Sequence, residues 1–229
     1  MRVVVSIGGS VLAPDLDADR VRSYAGVVDG LIESGHEVAA VVGGGDAARE
    51  YIGAARELGA TEYDLDALGI AVTRLNARLL VAALATATDV AESHEAARRG
   101  LRRDGVAVMG GTAPGQTTDA VAAMLAETTE ADLLVFATSV PGVFSADPND
   151  TADAERFDRL SATDLVDLVA SLETSAGSNT PVDLLAAKVI QRSGLRAVVL
   201  DGTDPDRIEN AIVGAFDGTE IVPEPIDDE

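Results

Sequence analysis

Three times in this chain a short, almost wholly apolar run stops at a cluster of glycines and gives way to helical periodicity. The run at residues 2–7 ends at Gly8 and Gly9, that at 38–42 ends at Gly43, Gly44 and Gly45, and that at 106–109 meets Gly110 and Gly111. Unbroken apolar strands, as opposed to alternating ones, belong to parallel sheets buried on both faces. Parallel neighbours need long crossovers, usually helices. The chain is therefore confined to an α/β design: a largely parallel sheet with helices on both sides. All three glycine clusters fall at the carboxyl edge of that sheet, where ligands bind in open α/β folds.

The remaining pattern agrees. Apolar spacing predicts helices over residues 19–34, 46–58, 65–86 and 118–127, with arginines and Asn76 along one side of the third. A further strand is expected at 133–137. The second half brings a turn at 140–143, a polar loop at 144–148, helices at 163–171, 183–193 and 205–216, and strands at 196–200 and 220–222. No repeat and no long linker divides the 229 residues, so one domain is expected.

Charge narrows the function. Acidic residues number 39 against 17 basic ones, a formal net charge of -22, and Lys188 is the sole lysine. Binding to nucleic acid through a basic surface is excluded by that balance. Disorder does not fit 47% apolar content. A folded protein with a hydrated acidic surface, suited to high salt where screening suppresses self-repulsion, does fit. The sequence holds no cysteine, which removes disulfides and thiolate metal sites and agrees with a reducing cytoplasm. No run reaches the roughly 20 apolar residues of a membrane span, and residues 1–10 lead into a strand pattern without a small-residue cleavage site.

The glycine turns expose backbone N–H groups that no side chain obstructs, and such turns cradle anions. Glycines also simply close tight turns; three clusters at one edge favour a polyanionic ligand. The sequence GGTAPGQT, residues 110–117, has Walker-loop spacing, but Gln116 occupies the lysine position. Backbone freed by Gly110, Gly111 and Gly115, hydroxyls of Thr112, Thr117 and Thr118, and the start of the following helix suit a phosphate held by neutral donors. They suit less well a phosphoryl group in flight, so the loop is expected to hold an acceptor or bystander phosphate. The bland alternative is a Thr/Gly-rich helix cap. Arg49, one turn past the second glycine cluster, is either a phosphate fork or half of a surface ion pair. Asp66, Asp119, Asp147 and Asp183 stand at predicted loop or helix starts, and in so acidic a chain each gains meaning only from its neighbours.

Read together, SIGGS, VVGGGDAAR, the run from Asp66 to Ala77, MGGTAPGQTTDA, FSADP and DLLAAK recur in the order seen in the archaeal type of UMP kinase, within the amino acid kinase superfamily. The chain closely resembles that family over nearly its whole length, and GGTxPGxTTDA is the most specific piece. The resemblance implies a single three-layer αβα sandwich, with an acceptor half near residues 1–130 and an ATP half near 131–222. It implies transfer from ATP to UMP with Mg2+ and hexameric assembly. It places Gly44, Asp66 and the loop Thr112, Ala113, Pro114, Gly115, Gln116, Thr117, Thr118 against UMP. It places Gly9, Ser10, Gly45 and Arg49 at the ATP phosphates, and Thr138, Phe144 and Asp147 at the ATP base and sugar. Asp119 and Asp183 correspond to acidic residues near the transfer point, with no direct metal ligand assigned.

Two positions depart from that pattern. Ser6 stands where many relatives carry a first-strand lysine, and Phe144 where a tyrosine is common. Charge neutralisation then falls to Mg2+, Arg49 or Lys188. Lys188 is a catalytic candidate, or else its stem lies along the helix surface. The rival readings are a sister kinase acting on isopentenyl phosphate, carbamate or an acylated amino acid, and a nucleotide- or oxyanion-binding protein without turnover.

Overall fold

The first strand shows why the sheet is a middle layer. In the computed structural model, which describes residues 1–86, 89–146, 148, 151, 153–173 and 181–223, Val4 packs into the core on one face of the sheet. Val3, Val5 and Ile7 pack into the core on the other. The second strand repeats this, with Ala39 and Val41 on one side and Val38, Ala40 and Val42 on the opposite side. With both faces dry, such strands are central ones.

In chain order the first half comprises β1 (Arg2–Ile7), α1 (Gly9–Leu12), α2 (Ala18–Glu33), β2 (Glu37–Val42), α3 (Gly45–Glu57) and α4 (Glu62–Ala83). Then follow β3 (Val90–Ala91), α5 (His94–Asp104), β4 (Val106–Met109), α6 (Thr118–Thr129) and β5 (Leu133–Thr138). The remainder is β6 (Arg159–Ser161), α7 (Ala162–Glu173), α8 (Leu184–Ser193), β7 (Ala197–Asp201), α9 (Arg207–Ile212) and β8 (Gly218–Val222).

The strands form one sheet in the order β3-β4-β2-β1-β5-β7-β8-β6. Every neighbouring pair is parallel except β7 with β8. Helices α5, α6, α7 and α8 cover one face, while α1, α2, α4 and α9 cover the other, and α3 packs on α4. This is the three-layer αβα sandwich with a mostly parallel sheet. From β1 the chain moves outward through β2 and β4; from β5 it moves the opposite way through β7 and β8. That reversal opens a crevice at the carboxyl ends of β1 and β5.

Local chemistry sets the element ends. A capping box of Thr61 and Asp64 starts α4 earlier than residue 65, and the helix stops at Ala83, short of residue 86. The last helix is shorter than the expected 205–216, because Gly214 at φ +78 follows its end. Helix α5 is not among the elements expected from apolar spacing, since only Ala97 and Leu101 are buried on it and its two-sidedness is carried by arginines. Its termini were nevertheless marked: Ser93 caps the start, Arg102 and Arg103 occupy the last turn, and Gly105 takes the left-handed C-cap.

Candidate active site

Two glycine turns interlock at the crevice. A Cβ on Gly9 would lie 2.3 Å from Gly45 N and 2.5 Å from Gly43 O. Gly45 has φ +62, and its Cβ would lie 2.4 Å from Ser10 N. Only glycine lets these backbones approach so closely. The first turn is tied across the sheet by the Gly8 N–H, which donates to Ala137 O at 3.0 Å. Both turns line a cleft of about 400 Å3 shared with Ser6, Arg49, Thr118, Asp119, Thr138 and Phe144. Arg49 is exposed and ion-paired with Asp46 one turn earlier on α3, so the surface pair and a place beside the cleft coexist.

Asp119, the second residue of α6, is partly buried at the cleft. Ser6, itself buried on β1, donates its hydroxyl to Asp119 Oδ1 at 2.8 Å. Withdrawal from water pushes the Asp119 carboxyl up to about 7, the Ser6 hydrogen bond opposes this, and the negative charge of Asp183 adds to it. Asp183 caps α8, accepting from the N–H groups of Leu185 at 2.7 Å and Ala186 at 3.0 Å. Its other oxygen accepts the hydroxyl of Thr117. Thr117 also caps α6 by accepting from Ala120 N at 3.0 Å. One threonine thus links the end of the loop at 110–117 to two helix starts.

The loop itself is held by α4. A Cβ on Gly110 would lie 2.6 Å from Thr73 Oγ1. The Gly111 N–H donates to that oxygen at 2.7 Å, and Arg74 Nε donates to Gly111 O at 3.2 Å. Asp66 Oδ2 accepts the Gly115 N–H at 2.7 Å, and Thr112 donates to Gln116 Oε1 at 2.9 Å. Asp66 is therefore not at a helix start but inside α4, where it clasps the loop tip. Ala113 closes the tight turn by accepting from Gln116 N, beside the exposed Pro114.

On the other side the cleft has an apolar wall. Val143, Leu165, Val169 and Val182 are buried there, with Leu168 and Leu172 beside them. Thr138 bonds Val140 N at 3.0 Å and shapes the turn after β5. Phe144, half-buried, bridges to Arg156 and faces this wall. Asp147 lies outside the described residues.

Gly9, Ser10, Gly44, Gly45, Arg49, Thr118, Asp119, Thr138 and Phe144 thus meet in one cleft. Residues 112–117, clasped by Asp66 from α4, form the adjoining loop, reached through Thr118, and Asp183 joins by way of Thr117. Lys188 does not join them. It is exposed on α8 beyond the buried Ala186 and Ala187 and does not line the cleft. Its helix does start beside the site, but five residues of helical rotation carry the side chain off it. Three groups were missed as site residues by sequence reasoning: Ser6 as the partner of Asp119, Thr73 and Asn76 as anchors of the turns, and the apolar face of α7. The last was readable in the period of α7.

A parallel sheet whose switch point carries interlocked glycine turns, two carboxylates and an apolar slot is the arrangement of a phosphotransferase that works without a P-loop lysine. Comparison with known proteins agrees, and the chain belongs to the amino acid kinase family, which it matches over residues 1–201. It is 70% identical to the uridylate kinase of Natronomonas pharaonis, covering 97% of this chain and 99% of that one. It is 61% identical to the uridylate kinase of Halobacterium salinarum, covering 100% and 96%. Among solved structures, the uridylate kinase of Archaeoglobus fulgidus superposes with a TM-score of 0.88 at 45% identity, over 97% of this chain and 100% of that one. The relatives at 70% and 61% identity come from halophilic archaea, in line with the acidic composition.

Proposed function

We propose that this chain is a UMP kinase that transfers the γ-phosphoryl group of ATP to UMP, giving UDP and ADP. The observation that carries this reading is whole-length identity of 70% to a uridylate kinase in a chain whose glycine cleft adjoins the loop at residues 110–117. The donor is ATP, with its phosphates at Gly9, Ser10, Gly45 and Arg49 and its base and sugar along Thr138, Phe144, Asp147 and the α7 wall. The acceptor is UMP, at Gly44, Asp66 and the loop from Thr112 to Thr118.

The step is an in-line displacement. An anionic oxygen of the UMP phosphate attacks the γ-phosphorus, the bond to the β–γ bridging oxygen breaks, and ADP leaves with that oxygen. The attacking oxygen needs no strong base, so Asp119 and Asp183 hold the phosphate clamp instead of removing a proton. Ser6 keeps Asp119 oriented.

The residues fit Mg2+ carried by substrate. No group of three or more ligating side chains exists among the described residues. Two carboxylates close enough for one to raise the other's pKa would hold a hydrated ion from outside its phosphate ligands. When bound, that ion neutralises charge between the two polyanions.

Hexameric assembly and a cytoplasmic setting complete the reading. Tyr51, Tyr63, Leu75 and Leu79 on α3 and α4 are exposed in an otherwise acidic protein, and assembly would cover them. No described helix is long and apolar enough to cross a membrane. The test is ADP release in molar KCl with MgATP, comparing UMP with CMP, dUMP, AMP and isopentenyl phosphate. A strong preference for UMP is expected. Turnover favouring another acceptor points to a sister kinase, and no turnover in the folded protein points to binding alone.

A further inference from the structure

Helix α4 hydrogen-bonds the turn at residues 43–45 through Asn76. Asn76 is only 4% exposed, and its amide nitrogen donates to Gly43 O at 2.9 Å and to Gly44 O at 3.1 Å. In a trans peptide the C=O and N–H point in opposite directions. The Gly43 carbonyl shares its peptide plane with the N–H of Gly44, and the Gly44 carbonyl shares its plane with the N–H of Gly45. Anchoring both carbonyls on Asn76 therefore turns both N–H groups away from α4.

Those groups have somewhere to point. Gly44 and Gly45 both line the cleft. Neither N–H donates to a backbone carbonyl among the described residues. A Cβ on Gly45 would lie 2.4 Å from Ser10 N, so the turn admits no side chain there. A peptide flip would present carbonyl oxygens, which repel phosphate, where N–H donors now stand.

The geometry points to Asn76 as a positioning residue that sets the polarity of this turn, aiming the Gly44 N–H at the acceptor phosphate and the Gly45 N–H at the donor phosphate. The assignment of the two phosphates rests on the UMP kinase reading; the polarity itself rests on the hydrogen bonds. One buried amide would thereby orient donors on both sides of the transfer point.

The test uses the full chain in molar KCl. Asn76→Ala removes the side-chain anchor of both carbonyls and leaves Gly44 O with the Ala48 N–H at 3.3 Å. Asn76→Asp keeps the shape but sets carboxylate oxygen against two carbonyls. Asn76→Ser restores a single donor. Steady-state kinetics for ATP and UMP are measured beside thermal midpoints and calorimetric binding of inorganic tripolyphosphate without Mg2+. In kcat/KM for both substrates, Asn76→Ala is expected to lose on the order of 10- to 100-fold, the size of one lost hydrogen bond to a charged group. Asn76→Asp should lose more and Asn76→Ser less, with tripolyphosphate affinity falling in the same order. Wild-type kinetics and wild-type tripolyphosphate affinity in a folded Asn76→Asp protein, whatever its midpoint, would overturn the proposal. If the wild type fails to phosphorylate UMP, the UMP kinase reading falls, and the tripolyphosphate series still decides the role of Asn76.

Discussion

The same helix, α4, braces both glycine-rich regions of the site, and it does so in opposite senses. At residues 43–45 it supplies a donor: Asn76 takes two carbonyls and leaves the amides free. At residues 110–117 it supplies chiefly acceptors: Thr73 takes the Gly111 N–H and Asp66 takes the Gly115 N–H, while Arg74 adds one donor, to Gly111 O. The first region is therefore an amide surface. The second has spent two of its amides on α4 and presents hydroxyls, Gln116 and the start of α6. Two glycine clusters that look alike in sequence are thus different tools, and the difference lies in which end of the peptide a distant side chain holds.

Their tolerance of a methyl group should differ accordingly. Gly9→Ala drives a Cβ into the backbone of residues 43–45, at 2.3 Å from Gly45 N. Overpacking against backbone belongs at the upper end of its usual range, about 3 kcal/mol. That corresponds to a thermal midpoint lower by roughly 6–12 °C in a chain of this size. Displacing the amide surface should cut turnover by on the order of 100-fold. Gly115→Ala meets no neighbour within 4 Å and is strained only by φ +78. The left-handed backbone costs about 1–2 kcal/mol there, and the main effect should be a higher KM for UMP. Equal damage from both substitutions, read by melting and kinetics, would erase the contrast.

Asp119 sharpens the contrast, because the loop side ends in a carboxylate where the amide side carries partial positive charge. Burial and the nearby Asp183 hold the Asp119 pKa at about 7, against about 3.9 in the unfolded chain. Below about pH 4 both states carry the proton. Between about pH 4 and 7 the folded state binds more protons than the unfolded one, so stability from this group falls as pH rises and is gone above about 7. Asp119→Asn removes that slope. The variant should be more stable than the wild type at pH 8 by on the order of 2–4 kcal/mol, an advantage that shrinks toward pH 5. Its turnover should fall about 10- to 100-fold, since the carboxylate no longer holds the phosphate clamp. Melting curves of the ligand-free proteins from pH 5 to 8 decide the first point. A difference that stays constant with pH would show a solvated carboxylate.

What was legible in the sequence follows the range of the interactions. Strands β1, β2, β4, β5 and β7 announce themselves because burial on both faces makes them continuous apolar runs. The glycine turns are legible because close backbone approach admits no other residue. The anchors are not: Ser6 reaches Asp119 across 113 positions, Asn76 reaches Gly43 across 33, and Thr73 reaches Gly111 across 38. Each is a single polar residue inside an apolar pattern, and nothing within one helical turn of it tells where its hydrogen bond goes. Resemblance located Asp66, but the contact with Gly115 N that gives it work in the free protein appears only in three dimensions.

Lys188 gives the smallest expected effect and the cleanest limit on the comparison. Arg74 already holds the loop at Gly111 O; if the loop side drew on a second cation, the sole lysine of the chain would be the obvious source. The structure places it on the exposed face of α8, between Leu185 and Arg192, and Arg192 is engaged with Glu127 on α6. An ammonium there is hydrated and screened in molar salt. Lys188→Met should therefore leave kcat and both KM values within about twofold of wild type, as a surface change distant from the chemistry does. A tenfold loss of kcat at unchanged thermal midpoint would place a second cation, beyond Arg74, on the loop side. The two turns would then differ by a charge, and not only by the direction of their peptides.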